Sequence, residues 1–274
     1  MKTPPSSDQR NPLDLLASGP IREIRFDLTT RCNLRCVYCA VSLPDYVGSD
    51  MPIEMASQTV TAIAGLMRYN PHNPVSINGH GETTFMRDWV NISQQLLDRN
   101  IPIRITTNLA KRYSGIEIGI LARMHMIGVS IDTSDPDLLR RMRRKVDINR
   151  IVGTIAEIRA EAERLACPSP HFHIGCGLYA QTALGVENFA QFAIALNVGS
   201  VYFWNLTVHD ANFPGVSPSD RPVPLASLCD VELRPRIEAI RRAIIMLEAK
   251  QVIVRVAGGF VDLLALRVGL DGTG

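Results

Sequence analysis

The chain has 274 residues, of which 46% are hydrophobic and 20% are charged, and its formal net charge is +2. So small a charge gives no reason to expect a nucleic-acid or membrane partner held by bulk electrostatics. Residues 1–20 contain no signal-peptide core, and no segment approaches the ~18 consecutive apolar residues of a membrane span, so we expect a soluble, cytoplasmic protein.

Segments typical of strands and of helices alternate along the chain after a proline-rich, polar leader at residues 1–12, which we expect to be disordered. The predicted strands are Ile21–Leu28, Val75–Asn78, Ile103–Thr107, Gly128–Asp132, Phe172–Cys176 and Ser200–Leu206, with Val252–Val256 as a candidate for one more. The predicted helices are Glu54–Tyr69, Trp89–Leu97, Ile116–His125, two pieces within 135–165, Val186–Leu196 and Leu233–Lys250.

Six strand–helix units predict an α/β fold whose parallel sheet curls into a partial (β/α)6 TIM-like barrel. We place this barrel at residues 13–210 and expect the loop, helix and tail of residues 211–274 to pack on it. A flat, doubly wound sheet is the structural alternative.

Three cysteines, Cys32, Cys36 and Cys39, follow the first predicted strand with C-x3-C-x2-C spacing. A structural zinc site normally has a fourth protein ligand. An iron–sulfur cluster held by three cysteines leaves one iron open for a ligand. No second cysteine pair has zinc spacing, which favours the cluster; a zinc-stabilised binding module with no catalysis stays the alternative.

Three further polar runs end predicted strands, at residues 79–84, 106–108 and 130–132. The active sites of parallel α/β sheets lie at the carboxyl ends of the strands. The cysteine loop and these three runs are therefore expected to meet at one edge of the sheet.

The cysteine loop, with Tyr38 just before its last cysteine, resembles the signature of the radical S-adenosylmethionine (radical SAM) superfamily. The resemblance implies that the three thiolates hold a [4Fe–4S] cluster and that SAM chelates the open iron. It also implies reductive cleavage of SAM to a 5′-deoxyadenosyl radical that abstracts a hydrogen atom from substrate. A flavodoxin- or ferredoxin-type protein is the expected reductant.

The same resemblance assigns cofactor-binding roles to residues at the strand ends. The run at residues 80–83 is similar to the superfamily's Gly-Gly-Glu-Pro motif, with His and Thr in place of the first Gly and the Pro. The residues implied to bind SAM are Tyr38, Gly81, Glu82, Thr83, Thr107, Asn108 and Ser130. For Glu82 the plain alternative is an exposed turn carboxylate, and Asn108 and Ser130 are equally compatible with turn formation.

Other candidate residues are less specific. Cys176, at the predicted end of the fifth strand, is a candidate catalytic hydrogen-atom donor, against the alternative of a small buried side chain. We expect Cys167 and Cys229 to be structural or exposed, and the basic run Arg140–Lys145 to be a solvated or phosphate-contacting surface. The candidate walls of a substrate pocket are Tyr202, Trp204, Asn205, His209 and Asp210.

The substrate is expected to be a small metabolite, with a sugar or nucleoside favoured. The barrel resembles the SPASM-type branch of the superfamily, but Gln251–Gly274 contains no cysteine for an auxiliary cluster. Epimerisation, rearrangement or elimination is therefore favoured. A maturase of a peptide and an activase that installs a radical on a partner protein are the enzymatic alternatives.

Overall fold

Seven strands form one parallel sheet in the part of the chain that the computed structural model describes, residues 23–67, 73–205 and 216–257. The strands lie side by side in sequence order, β1 next to β2 and so on to β7. Their bounds are β1 Ile24–Arg25, β2 Val75–Ser76, β3 Ile103–Thr107, β4 Met126–Ser130, β5 His171–Leu178, β6 Ser200–Asn205 and β7 Ile253–Val256.

Helices connect the strands. They are α1 Ile53–Met67, α2 Trp89–Leu97, α3 Gly115–Ala122, α4 Pro136–Arg143, α5 Ile148–Arg164, α6 Ala180–Ala183, α7 Val186–Ala195 and α8 Asp230–Glu248. Side-chain caps begin three of them: Ser114 and Glu117 form a capping box at α3, while Asp135 and Asp147 accept from the first turns of α4 and α5. None of the helices in these three ranges is both long enough and apolar enough to cross a bilayer.

The sequential strand order fixes which side of the sheet the helices cover. Parallel crossovers are right-handed, so successive helices all pack on the same face. The side chains on that helix-facing side, such as Ile105, Val129 and Ile174, are fully buried in one continuous core. The alternate residues, such as Thr106, His173 and Tyr202, point to the opposite side, which we call the inner face, and they are half-buried or exposed.

The α/β class and the partial, unclosed TIM-like barrel are confirmed, and the described sheet has seven strands because the candidate seventh strand is present. Ile253–Val256 is a seventh strand, with Ile253 opposite Ser200 of β6. The strand bounds also shift: β1 has two residues instead of eight, β4 ends at Ser130, and β5 continues to Leu178. An apolar run in the sequence marks residues that are buried, but a strand extends only as far as its neighbour pairs with it. β1 is short because only two of its residues pair with β2.

Candidate functional site

The three clustered cysteines lie on the loop after β1, and all are free thiols. Cys36 is buried, whereas Cys32 and Cys39 are half-buried. Inside the loop, the Cys39 amide donates to the Cys36 carbonyl at 3.2 Å, and the Leu34 amide donates to the Cys32 Sγ at 3.4 Å. The loop therefore presents three cysteine side chains at the carboxyl edge of the sheet.

The electrostatics of these thiols suit a metal centre. Burial raises the pKa of Cys32 to about 11 and that of Cys36 to about 12. A negative charge on Cys39 would raise both pKa values further, so the three sulfurs are close enough to interact electrostatically. Metal ligation requires thiolates and stabilises them, so an iron centre would offset the burial that raises the pKa of Cys32 and Cys36.

Within the described ranges, no three His, Cys, Asp or Glu side chains are arranged to hold a single metal ion. A [4Fe–4S] cluster has no such requirement, because it binds each thiolate through a different iron. The cysteine trio fits such a cluster in its donor atoms and in its position.

Asp132, just beyond β4, is the centre of a buried network beside the cysteine loop. Its carboxylate accepts from the Arg143 Nε at 2.8 Å and Nη2 at 3.0 Å, from the Tyr38 hydroxyl at 2.5 Å and from the Gly177 amide at 3.2 Å. The Cys36 thiol in turn donates to the Arg143 carbonyl at 3.8 Å. The loop, α4 and β5 are thus joined through one carboxylate.

Arg143 is an exception to the prediction that the basic run Arg140–Lys145 is a solvated or phosphate-contacting surface. It is only 6% exposed, because it follows Leu139 by four residues on the buried stripe of the amphipathic helix α4. Burial alone would lower the pKa of Arg143, but the paired Asp132 carboxylate raises it above its usual value. Arg140 and Arg141 in the same helix are exposed, as predicted.

Glu82 is a buried junction between the β2 loop and the end of β3. Its Oε1 accepts from the Thr84 amide at 3.2 Å and from the hydroxyls of Thr84 and Thr107, both at 2.7 Å. Its Oε2 accepts from the Asn108 amide at 2.7 Å. Thr107 thus supports Glu82 from the helix-facing side, and the carboxylate is oriented by donors of the chain itself.

Gly81 ties the β2 loop to the cysteine loop. Its amide donates to the Thr29 carbonyl at 3.1 Å, and the Glu82 amide donates to the Arg31 carbonyl at 2.8 Å. A Cβ at Gly81 would lie 2.4 Å from the Arg31 oxygen, so only glycine permits this approach. Thr83 is buried, and its hydroxyl donates to the Ile77 carbonyl at 2.5 Å. This hydrogen bond lies within the loop that follows β2.

Two more predicted residues lie beside these loops. Asn108 donates to the Asn33 side chain at 2.9 Å, and its Nδ2 lies 3.9 Å from the Cys32 Sγ. Ser130 ends β4 on the inner face, opposite Gly175. A Cβ placed on Gly175 would lie 3.9 Å from the Trp204 Nε1, so the indole of Trp204 lies over the backbone beside Ser130.

Asp27, which no sequence motif marks, lies just after β1 and beside the loop that follows β2. Its Oδ2 accepts from the His80 amide at 3.2 Å, and its Oδ1 is buried without a partner. Gly79 is required here, since a Cβ would overlap the Asp27 carboxylate. The alternation of polar Asp27 between apolar Phe26 and Leu28 was the signal that it points away from the core.

The prediction for the position of Cys176 is wrong. The residue lies inside β5, two residues before its end, on the helix-facing side, and it is fully buried with its thiol donating to the Asp132 carbonyl at 3.4 Å. This position matches the alternative of a small core residue. Cys167 donates to the Ala122 carbonyl, and Cys229 is exposed. His209 and Asp210 lie outside the described residues, as does the leader.

Comparison with known proteins places this geometry in a family. The sequence model of the Radical SAM superfamily matches residues 26–172, more than half of the chain. A GTP 3',8-cyclase of Limosilactobacillus fermentum is 31% identical over 144 residues, which are 50% of this chain and 41% of that protein. A probable GTP 3',8-cyclase of Methanocaldococcus jannaschii is 28% identical over 142 residues, 49% and 44% of the two chains. The chain thus spans less than half the length of these relatives.

Solved structures show the same fold. Streptococcus suis SuiB bound to S-adenosylmethionine superposes with a TM-score of 0.62 at 17% identity, over 86% of this chain and 50% of that one. The structure of anSMEcpe with bound AdoMet gives a TM-score of 0.59 at 16% identity, over 86% and 62%. The expected cofactors, a [4Fe–4S] cluster and S-adenosylmethionine, are those that enzymes of this kind use. On the family match and on the cysteine loop that opens the matched region, this chain belongs to the radical SAM superfamily.

Proposed function

We propose that Cys32, Cys36 and Cys39 hold the [4Fe–4S] cluster and that the enzyme abstracts a hydrogen atom from a small metabolite bound over the inner face. The observation that supports this most strongly is the set of short hydrogen bonds that join the cysteine loop to the loop of Glu82 and to Asp132. Three separate runs of sequence are thereby fixed at one edge of the sheet.

The chain's own residues orient and enclose the reactants. Gly81 and Glu82 set the distance between the cysteine loop and the end of β3, while Asn108 borders the sulfur of Cys32. The unpartnered Asp27 oxygen is an acceptor for an ammonium or hydroxyl group of a ligand.

When bound, the cluster and SAM supply a 5′-deoxyadenosyl radical after one-electron reduction, for which we propose a flavodoxin- or ferredoxin-type donor. Tyr38, Thr83 and Thr107, assigned to SAM binding by resemblance, would then act through the loops they brace, because their side chains bond to Asp132, Ile77 and Glu82. Ser130 is proposed to contact the ligand directly from the inner face.

A small substrate is favoured over a peptide. The relatives that match in sequence are GTP 3',8-cyclases, whose name specifies a nucleotide substrate. SuiB has been solved with its precursor peptide SuiA, but at 16% identity that likeness shows the fold alone. Beside Ser130, the Trp204 Nε1 lies 3.9 Å from where a Gly175 Cβ would be, and we propose this indole as one wall of the substrate pocket.

The test is anaerobic reconstitution with iron and sulfide, followed by incubation with SAM and dithionite. The wild-type protein should bind iron and sulfide and release 5′-deoxyadenosine. Cys36→Ala should lose both properties, because it removes one of three thiolate ligands. Cys229→Ala, which changes an exposed cysteine outside the loop, is the matched control and should retain both. Retention of iron, sulfide and 5′-deoxyadenosine by Cys36→Ala would contradict the assignment.

A further inference from the structure

We propose that the amino-terminal half of the inner face binds the phosphate or pyrophosphate group of a small phosphorylated substrate. This deepens the proposed function, on which it rests for the identity of the reacting centre. The side chains that form the site are Arg25, Arg104, His171, His173, Tyr202 and Arg255.

These residues come together because the strand register places them in adjacent layers. His173 of β5 lies opposite Gly128 of β4, and Tyr202 of β6 lies opposite Arg255 of β7. Together with the starts of β1 and β3 they enclose a cavity of about 320 Å³ on the inner face. This is a volume that suits a small ligand.

The cavity has a surplus of positive charge. Glu23 at its rim is shared by two arginines, with 3.1 Å to the Arg25 Nε and a short contact to Arg104. Arg255 is exposed and forms no ion pair with any carboxylate of the described residues. Among the described residues, three guanidinium groups share one carboxylate here, so an anion would compensate the remaining positive charge.

His173 adds an unused polar atom to the same cavity. Its ring packs against Gly128, where a Cβ would lie 2.4 Å from the ring, and its buried Nδ1 has no hydrogen-bond partner. Burial first, and then the charges of Arg104, His171 and Arg255, lower the pKa of His173 to about 4. The positive charges around His173 favour the neutral form of its imidazole, and a bound anion would offset their effect.

The position of the cavity fits a substrate that is anionic at one end. Gly177, which lies beside Asp132, follows His173 by four positions in β5, and this corresponds to about 13 Å along a strand. A nucleotide or sugar phosphate can span such a distance. Its phosphate would lie among the arginines while its reacting carbon lies near the cysteine loop.

The proposal is tested by calorimetric titration of the reconstituted enzyme with inorganic pyrophosphate at low ionic strength. Wild-type protein should bind pyrophosphate, and Arg255→Gln should weaken binding at least about tenfold, with a larger loss in an Arg104→Gln/Arg255→Gln double variant. Arg242→Gln is the matched control, since Arg242 is an arginine that pairs with Glu187 on the surface of α7 and α8. It should bind as wild type does.

Three results would overturn the proposal: no pyrophosphate binding at millimolar concentration, equal binding by Arg255→Gln, or equally strong binding of acetate. The single variant changes an exposed side chain and keeps the test valid if the double variant does not fold. Release of 5′-deoxyadenosine by the wild-type enzyme is measured in parallel. If that reaction succeeds while pyrophosphate binding fails, only the anion site is refuted.

Discussion

Asp132 is the residue on which the cysteine loop most depends outside the loop itself. It is 1% exposed and accepts hydrogen bonds from the loop, from α4 and from β5. A buried carboxylate is tolerated only when its charge is compensated, and Arg143 does so with two nitrogen–oxygen contacts. Removing either partner leaves an unpaired charge in the core.

We predict that Arg143→Leu lowers the free energy of unfolding by about 3–5 kcal/mol, because it leaves the Asp132 charge buried and unpaired. Urea denaturation of the apo protein measures this. Arg140→Leu, on the exposed face of the same helix, should change stability by less than about 0.5 kcal/mol. Adding Asp132→Asn to Arg143→Leu should restore part of the loss. Wild-type stability of Arg143→Leu would refute the structural role of the pair.

At the scale of elements, the cysteine loop is held from two sides. The loop after β2 approaches it through the amides of Gly81 and Glu82, and α4 accepts from the Val37 amide through the Met142 carbonyl at 2.9 Å. Backbone contacts of this kind leave little room for adjustment. The spacing between the two loops is consequently set by the absence of a side chain at Gly81.

Gly81→Ala should therefore lower stability by about 1–3 kcal/mol and reduce the iron bound on reconstitution. The added Cβ would meet the backbone oxygens of Arg31 and Thr29 at 2.4 and 2.5 Å, and backbone moves less readily than a side chain. Gly153→Ala is the matched control: it lies within α5 with no atom near the new Cβ, so it should stabilise by about 0.5–1 kcal/mol. Equal iron content and stability in the two variants would contradict this reading.

The elements differ in how much of their position the sequence predicts. The polar runs that follow β2 and β3 do lie against the cysteine loop, because any sequential parallel sheet brings its carboxyl ends to one edge. Glu82 and Asn108 were located in this way. The orientation of the Glu82 and Asn108 side chains could not be predicted, because it depends on contacts between loops and loop sequences have no periodic pattern.

Two wrong predictions have different physical causes. Basic residues are usually solvated, which is why the sequence predicts an exposed Arg143. The prediction fails because the burial of Arg143 depends on its pairing with Asp132, eleven residues earlier and across a turn. Cys176 was placed on the rim because the strand end was set two residues early. Strand alternation puts it on the same side as Phe172 and Ile174, which are core residues.

At the scale of the whole molecule, the net charge of +2 conceals an uneven distribution. The helices neutralise or solvate their charges on the outside, in pairs such as Arg242 with Glu187. On the inner face, cationic side chains lie around His173. A total charge therefore excludes bulk electrostatic binding without excluding a local anion site.

This local field makes a prediction about acid stability. The pKa of His173 is about 4 in the folded chain against an ordinary value of 6.5, so below pH 6.5 the unfolded chain takes up a proton that the folded chain refuses. The stabilisation is complete above pH 6.5 and is lost as pH falls to 4, by at most about 3 kcal/mol. The charged and polar groups that face the ring are Arg104, Thr106, His171, Ser200, Tyr202 and Arg255.

Urea unfolding at pH 7 and near pH 4.5 tests this prediction. His173→Gln cannot take up the proton, so the stability that it loses between the two pH values should be smaller than in wild type by up to about 3 kcal/mol. Arg104→Gln removes the cation that lowers the pKa of His173 most and should give a pH dependence between those two, because burial, the first cause, remains. An identical loss of stability in wild type and His173→Gln would show that the imidazole is not held neutral, and would remove one of the supports for a positive field on the inner face.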